Sequence, residues 1–224
     1  MTGAVVLHDY WRSSASYRVR IALALKGISY RRVSVDLVAG DHRAPSYLAV
    51  NPQGLVPALH IDDQVLTQSL AIVEYLEETR PAPALLPEDA AGRVYVRALA
   101  LAVACEVHPV SNLSVLNRID RLAGHEVRAE WNRNNIADGL AKLEDMLDHP
   151  CFTGEFCHGR TPGLADCTVI PQLYNATRWG VPFSHMPRLV AVHHACAGHA
   201  AFDAAHPDRF DPSQHTKAFQ GERE

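Results

Sequence analysis

The spacing of apolar side chains divides the chain into two parts with different patterns. In the first part, short apolar runs typical of strands alternate with segments whose apolar residues recur at helical spacing. The predicted strands are residues 4–8, 30–35, 58–61 and 64–67, and the predicted helices are residues 14–26 and 69–79. A strand–helix–strand unit at the start predicts two parallel strands joined by a right-handed crossover. This part is therefore assigned to the α/β class.

The second part of the chain is helical. Three prolines between residues 81 and 87 interrupt the pattern and predict a linker. After the linker, helical spacing covers residues 93–107, 125–147, 164–179 and 188–200, and a tail with two further prolines follows. We predict an α/β domain over residues 1–80, a linker over residues 81–87 and an all-α domain over residues 88–224.

Composition and charge exclude several classes of protein. The net charge of −4 and the pI near 6.3 argue against a nucleic-acid-binding protein, which is usually basic. We expect no signal peptide and no membrane span, because the first apolar run is short and no later run approaches about 18 residues. Five cysteines, an odd number, favour a reduced, cytoplasmic protein. They lack the paired spacing of a metal site, so no metal is expected.

The stretch with the clearest chemical signal is Arg12-Ser13-Ser14-Ala15-Ser16, between the first strand and the first helix. The first N–H groups of a helix and the positive end of its dipole bind anions. A single serine there indicates only an N-cap, but three serines with arginines on both sides favour an anion site. No glycine-rich phosphate loop is present. A thiolate also suits this position, and since the turn has no cysteine, the thiol would come from a ligand.

Residues 12–27 resemble the active-site segment of zeta-class glutathione transferases, the family that includes the maleylacetoacetate isomerases. Three later segments match the same family in order: residues 51–59, 68–78 and 112–117. The first motif is specific to the class, whereas the Val-Pro and Gln-Ser motifs mark glutathione transferases in general. The resemblance implies a thioredoxin-like domain followed by a helical domain, glutathione as cofactor and a homodimer. It also implies a cis–trans isomerase that converts maleylacetoacetate, a dicarboxylate, to fumarylacetoacetate by thiolate addition, bond rotation and elimination.

The resemblance also implies roles for individual residues. Ser13 and Ser14 would stabilise the thiolate, Val56 would pair through its backbone beside a cis proline at Pro57, and Gln68 and Ser69 would bind the γ-glutamyl end. Further positions would contact glutathione (His42, His108 and Asn112) or the substrate carboxylates (Arg12 and Arg178). Ser16 is a weaker candidate for the thiol site.

Two departures from the family pattern affect what is expected. Ala15 stands where the family usually has cysteine, so a mechanism that uses a protein thiol is disfavoured. Gly163 replaces the hydroxyl residue of the family's buried capping box, in which we interpret Asp166 as structural.

Several functions stay open on these residues. Maleylpyruvate isomerase is a close alternative, since its relatives also lack the cysteine. A broader glutathione transferase or a reductive dehalogenase ranks lower, because dehalogenation generally needs that cysteine. A non-catalytic glutathione-binding protein is a further alternative, although such proteins tend to lose the thiol-activating residue. A thioredoxin-type redox protein is least favoured, because the chain has no Cys-Xaa-Xaa-Cys.

Overall fold

The structure is a computed structural model that describes residues 4–213. It divides into two compact units, one formed by residues 4–83 together with residues 200–213, the other by Ala84–His199. The α/β and all-α classes predicted for the two parts are confirmed. The division differs from the predicted one at the end of the chain, because residues 200–210 pack with the first unit.

The first unit contains one four-stranded mixed sheet. Its strands are β1 (Val6–Asp9), β2 (Arg31–Ser34), β3 (Ala58–Ile61) and β4 (Gln64–Thr67), in the order β2-β1-β3-β4. The predicted parallel pair is confirmed, since β1 and β2 run parallel, whereas β3 is antiparallel to both β1 and β4. Asp62 and Asp63, the two-residue turn between β3 and β4, both have positive φ, as in a type I′ hairpin.

The helices are, in chain order, α1 (Ser14–Leu25), α2 (Pro45–Leu48), α3 (Ser69–Thr79), α4 (Ala90–Leu101), α5 (Leu113–Ala123), α6 (His125–Met146), α7 (Leu164–Arg178), α8 (Pro187–Ala197) and α9 (Ala200–Ala205). In the first unit, α1 packs against α3 and α9. Leu7 and Leu59 are cross-strand partners and are fully buried, as is Ile72 of α3. This core fixes the ends of the strands relative to the N-termini of α1 and α3.

The second unit contains α4 to α8. A π-helical segment, Ala102–Val107, continues α4, and α6 approaches it so closely that a Cβ on Gly139 would lie 2.3 Å from Val107 Cγ2. Helix α5 was not among the predicted helices.

We expected no run long and apolar enough to cross a membrane, but one helical run meets both criteria. Among residues 4–213, only Ala90–Ala123 has the length and the mean hydropathy, 1.5 over an 18-residue window, to cross a membrane, and core helices of soluble proteins pass the same test. Charged residues such as Arg97 and Glu106 interrupt this run, which is why it does not stand out as a continuous apolar stretch.

Candidate functional site

The turn between β1 and α1 presents a hydroxyl group and free backbone N–H groups. Ser13 is the N-cap of α1, and its Oγ accepts a hydrogen bond from the Ser16 N–H at 3.2 Å. A hydroxyl that accepts in this way still has its own proton to donate. The first N–H groups of the helix, those of Ser14 and Ala15, have no intrahelical acceptor. The cap and an anion-binding role are therefore compatible at Ser13.

The other small residues of this turn differ in how deeply they are buried, and this decides which of them a ligand can reach. Ser16 is fully buried, and its Oγ has no hydrogen-bond partner among the described residues. Ser14 is half-buried at the first position of α1, and Ala15 offers only a methyl group. Ser13 and Ser14 are thus the two hydroxyl residues of the turn that a ligand can reach.

The register of the sheet places the Val-Pro segment next to this turn. His8 of β1 pairs with Ala58 of β3 in antiparallel register, so the chain that leaves β1 runs beside the chain that enters β3. Tyr10 and Val56 accordingly belong to one buried cluster. The Val56–Pro57 peptide bond is cis, which confirms the expectation from the family.

The loop ahead of Val56 is held by several hydrogen bonds. The carbonyl of Leu55 accepts from Tyr47 Oη and from Asn51 Nδ2, both at 2.7 Å. Gly54 has φ +61°, and a Cβ there would lie 3.0 Å from the carbonyl oxygen of His42. His42 is therefore placed beside this loop.

The environment of His42 favours its neutral form. Burial is the main cause that lowers the pKa of His42, and the nearby charge of Arg43 adds to it. Its Nδ1 is buried without a hydrogen-bond partner among the described residues. A neutral imidazole can accept or donate one hydrogen bond to a ligand.

The Gln-Ser segment adjoins the same end of the sheet. Ala58 pairs with Thr67, so Gln68 follows β4 next to Pro57. Gln68 has φ +68°, a conformation rare for residues other than glycine and found more often at ligand sites. Its Nε2 donates to Gln53 Oε1 at 2.9 Å.

Ser69 brings a buried arginine to the site. It begins α3, and its Oγ accepts from Arg18 Nη1 at 3.2 Å. Arg18 is 3% exposed, so the N-terminus of α3 has a buried positive charge beside its free N–H groups. This arrangement suits a carboxylate.

The structure thus brings five predicted residues together at one end of the sheet: Ser13, Ser14, Val56, Gln68 and Ser69. His42 lies beside the loop that leads to Val56. Sequence reasoning did not assign Gln53 or Arg18 to the site. Arg18 was visible as one of two arginines after the serines, but its contact with Ser69 joins residues 51 positions apart.

Arg12 is oriented by its two aromatic neighbours. Its Nη2 donates to Tyr10 Oη at 2.9 Å, and its guanidinium carbon lies 5.0 Å from the centre of the Trp11 ring. These contacts involve one edge and one face of the guanidinium, which has five N–H donors in total. Arg12 is half-buried beside the Ser13 turn, where the remaining donors can pair with a carboxylate.

The other three predicted residues belong to the second unit. His108 directly follows the π-helical segment, Asn112 is the N-cap of α5, and Arg178 is the exposed last residue of α7. The structure places each at the end of a helical segment. Their contact with a ligand stays a prediction.

One stretch of α6 contacts the surroundings of all three. Trp131 Nε1 donates to the carbonyl of Val110, in the turn between His108 and Asn112, at 3.0 Å. Arg133 Nε donates to the carbonyl of Trp179, next to Arg178, at 3.2 Å. Residues 131 and 133 are less than one helical turn apart and point to different sides of α6, so the turn and the end of α7 contact different sides of the same part of that helix.

Asp166 has the structural environment that its position in the capping box predicts. Its Oδ2 accepts from the Gly163 N–H at 2.8 Å, and its Oδ1 accepts from the Cys157 N–H at 2.9 Å. Asp166 is 1% exposed, and burial raises its pKa. A Cβ on Gly163 would lie 2.6 Å from the Leu85 carbonyl oxygen, which explains why glycine replaces the hydroxyl residue.

Comparison with known families adds to this geometry. Residues 12–79 match the family "Glutathione S-transferase, N-terminal domain". A maleylacetoacetate isomerase of Rhizobium meliloti (strain 1021) is 56% identical over 214 residues, which is 95% of this chain and 100% of the relative. A maleylpyruvate isomerase of Ralstonia sp is 43% identical over 203 residues, 90% of this chain and 96% of the relative.

Solved structures show the same relationship. The maleylacetoacetate isomerase of Anaeromyxobacter dehalogenans 2CP-1, crystallised with glutathione in its active site, superposes with a TM-score of 0.83 at 45% identity, covering 92% of this chain and 96% of that one. The same protein with dicarboxyethyl glutathione and citrate in its active site gives a TM-score of 0.82 at 43% identity, covering 92% of each chain.

Proposed function

The chain belongs to the glutathione transferase family, among its maleylacetoacetate isomerases, and on that premise we propose that it catalyses the glutathione-dependent isomerisation of maleylacetoacetate to fumarylacetoacetate. The observation that carries the proposal is the convergence of the Ser13 turn, the cis Val56–Pro57 bond and the Gln68–Ser69 turn at one end of the sheet. The 56% identity with a maleylacetoacetate isomerase supports this substrate.

The residues of the first unit fit glutathione. The buried guanidinium of Arg18 and the free N–H groups of α3 suit its γ-glutamyl carboxylate. The extended chain at Val56 can form backbone hydrogen bonds with its cysteinyl part. The unused hydroxyl proton of Ser13 can be donated to its sulfur.

Glutathione supplies a thiolate that adds reversibly to the cis double bond of the substrate, which lets that bond rotate before the thiolate leaves. Ser13 donates its hydroxyl proton to the sulfur as a hydrogen bond and thereby lowers the pKa of the thiol. Ser14 and the N–H groups at the start of α1 add to the same positive potential. No residue of the chain forms a covalent bond in this scheme, which is consistent with Ala15.

Two arginines are candidates to bind the substrate's carboxylates. Arg12, held against Tyr10 and Trp11, can pair with one carboxylate through its outer donors. Arg178 is the matching candidate in the second unit. We assign His108 and Asn112 to ligand contact on the family resemblance. In the Anaeromyxobacter relative the active site holds dicarboxyethyl glutathione, whose dicarboxyethyl group adds two carboxylates to those of glutathione itself.

We further propose that the chain is a cytoplasmic homodimer of aromatic amino acid catabolism, without nucleic-acid or membrane partners. Val94 and Leu101, one heptad apart on α4, are 65% and 47% exposed, as expected for a face that a second copy covers. All five cysteines are free, in keeping with a reducing compartment.

Light scattering at micromolar concentration tests the dimer and should give twice the monomer mass of 24.6 kDa. A monomer would refute the dimer.

Maleylpyruvate isomerisation is the second candidate, because a relative of that name is 43% identical and Ala15 does not discriminate between the two. The decisive experiment measures glutathione-dependent turnover of maleylacetoacetate and maleylpyruvate side by side with the purified protein. We expect faster turnover of maleylacetoacetate. Faster turnover of maleylpyruvate would reassign the substrate, and turnover of neither, with glutathione bound, would refute the proposed function.

A further inference from the structure

A fully buried arginine on α1 joins the segment that follows β1 to the end of α9, two parts of the first unit that are far apart in the sequence. Arg20 Nη1 donates to Asp9 Oδ1 at 2.7 Å, Nη2 to the carbonyl of Trp11 at 2.9 Å, and Nε to the carbonyl of Ala205 at 3.0 Å. Both Arg20 and Asp9 are 0% exposed. A buried guanidinium needs all of these acceptors, since each unpaired donor would be left without water.

Two of these acceptors belong to the segment that leads to the thiol site. Trp11 is two residues before Ser13, and the carbonyl of Tyr10 accepts from the Ser13 N–H at 2.9 Å. The backbone oxygen of Asp9 accepts from Val35 N–H at 2.9 Å. The path of the chain from β1 to Ser13 is therefore fixed by consecutive carbonyls, of which Arg20 holds the one at Trp11.

The third acceptor comes from the other end of the chain. Ala205 is the last residue of α9, and a 3-10 turn, Pro207–Phe210, follows it. The ring centre of Phe210 lies 4.8 Å from the guanidinium carbon of Arg20 and 5.2 Å from that of Arg32. Arg32 Nε in turn donates to Asp9 Oδ2 at 2.7 Å. Phe210 thus covers both arginines that hold the Asp9 carboxylate.

We propose that residues 205–210 position the thiol site, acting through Arg20 on the turn that carries Ser13. Arg20 and Phe210 are positioning residues, and neither has to touch glutathione. When Phe210 or the full Arg20 fork is lost, water enters beside the guanidinium groups and the Trp11 carbonyl is released. Ser13 Oγ is then held less firmly. Glutathione still binds through Gln68 and Ser69, but the pKa of its thiol rises. This inference rests on the proposed function, whose site it deepens.

The test compares Phe210→Ala and Arg20→Lys with Lys26→Met. Lys26 is a matched control, because its Nζ also holds one carboxylate, Glu77, and two carbonyls, those of Arg80 and Pro83. It lies at the other end of α1, so its loss destabilises the fold without touching the Ser13 turn. The readouts are the ultraviolet absorbance of the thiolate of bound glutathione as a function of pH, kcat and KM for glutathione, and the melting temperature.

We expect the thiol of bound glutathione to titrate at higher pH in Phe210→Ala and Arg20→Lys. When the assay pH lies below the thiol pKa, the thiolate fraction falls roughly tenfold for each unit of pKa shift, and kcat should fall in proportion with little change in KM. Phe210→Tyr keeps the ring and should restore the wild-type titration. Lys26→Met should lower the melting temperature and leave the titration unchanged.

The same measurements can also overturn the proposal. An unchanged thiol titration in both Phe210→Ala and Arg20→Lys, with a lowered melting temperature as in Lys26→Met, would overturn the proposal and leave residues 205–210 with a purely structural role. The titration needs only bound glutathione. A wild-type protein that ionises glutathione but isomerises neither substrate would therefore refute the proposed function, while the variants would still decide this inference.

Discussion

Replacing Ser13 by alanine should separate its two roles, since its hydroxyl both caps α1 and is available to the thiolate. The loss of an N-cap costs about 1 kcal/mol of stability. A hydrogen bond to a charged group contributes about 1.5–3 kcal/mol, which corresponds to a roughly 10- to 150-fold loss of turnover. Ser13→Ala should therefore stay folded, melt at lower temperature and lose that much kcat in the maleylacetoacetate assay.

Two further variants make this prediction sharp. Asp caps helices as well as serine does, but a carboxylate repels a thiolate and has no proton to donate, so Ser13→Asp should regain stability and stay inactive. Asp89 is the N-cap of α4, where its Oδ1 accepts from the Gly92 N–H at 2.7 Å. Asp89→Ala should lose similar stability and keep full turnover. If Ser13→Ala behaves like Asp89→Ala, Ser13 is a cap and nothing more.

Three other substitutions test further parts of the structure. Ala15→Cys should leave isomerisation unchanged, because the reactive thiol comes from glutathione; a large gain in kcat would instead implicate a protein thiol. Gly163→Ser should lower the melting temperature although serine is a better cap, since its Cβ would lie 2.6 Å from the Leu85 carbonyl oxygen; a rise would contradict the steric argument. The hydrogen bond from Arg80 is the main cause that lowers the pKa of Asp62, so this pair stabilises the fold at neutral pH and the effect is lost as the pH falls through that lowered pKa. Arg80→Gln should accordingly reduce the difference between urea midpoints at neutral and acidic pH, and an unchanged difference would show that the pair contributes nothing.

Local pattern was enough to predict most of the first unit. The strands at residues 58–61 and 64–67 and the helix at residues 69–79 have the predicted bounds, because alternation, a two-residue turn and helical spacing are all local signals. The parallel pairing of the first two strands followed from the strand–helix–strand order, since a helical crossover joins parallel strands.

Elements that depend on distant contacts were not predictable. Helix α5 buries only Leu116, so little of its sequence reports on packing. Helix α9 has six residues, fewer than periodicity can identify, and it is held by a contact between residues 185 positions apart. A short segment of this kind looks like a tail until the acceptor role of Ala205 is seen.

In the candidate site, too, local sequence predicted some features and distant contacts determined the others. The turns that carry Ser13, Val56 and Gln68 were identified from motifs, yet the reason that they meet is the register of β3 between its neighbours. The positive φ of Gln68 and the contact of Arg18 with Ser69 are set by tertiary structure. Residue identity predicted the chemistry, and strand pairing determined where it is assembled.

The link between Arg20 and Ala205 has a consequence for synthesis of the protein on the ribosome. The first unit is discontinuous, so its sheet is translated long before the segment that completes the partners of Arg20. More than a hundred residues separate the two, and at roughly 5–20 residues per second the delay is on the order of ten seconds. During that interval the nascent first unit has a buried cation without its last acceptor, and it can finish folding only when the end of the chain emerges.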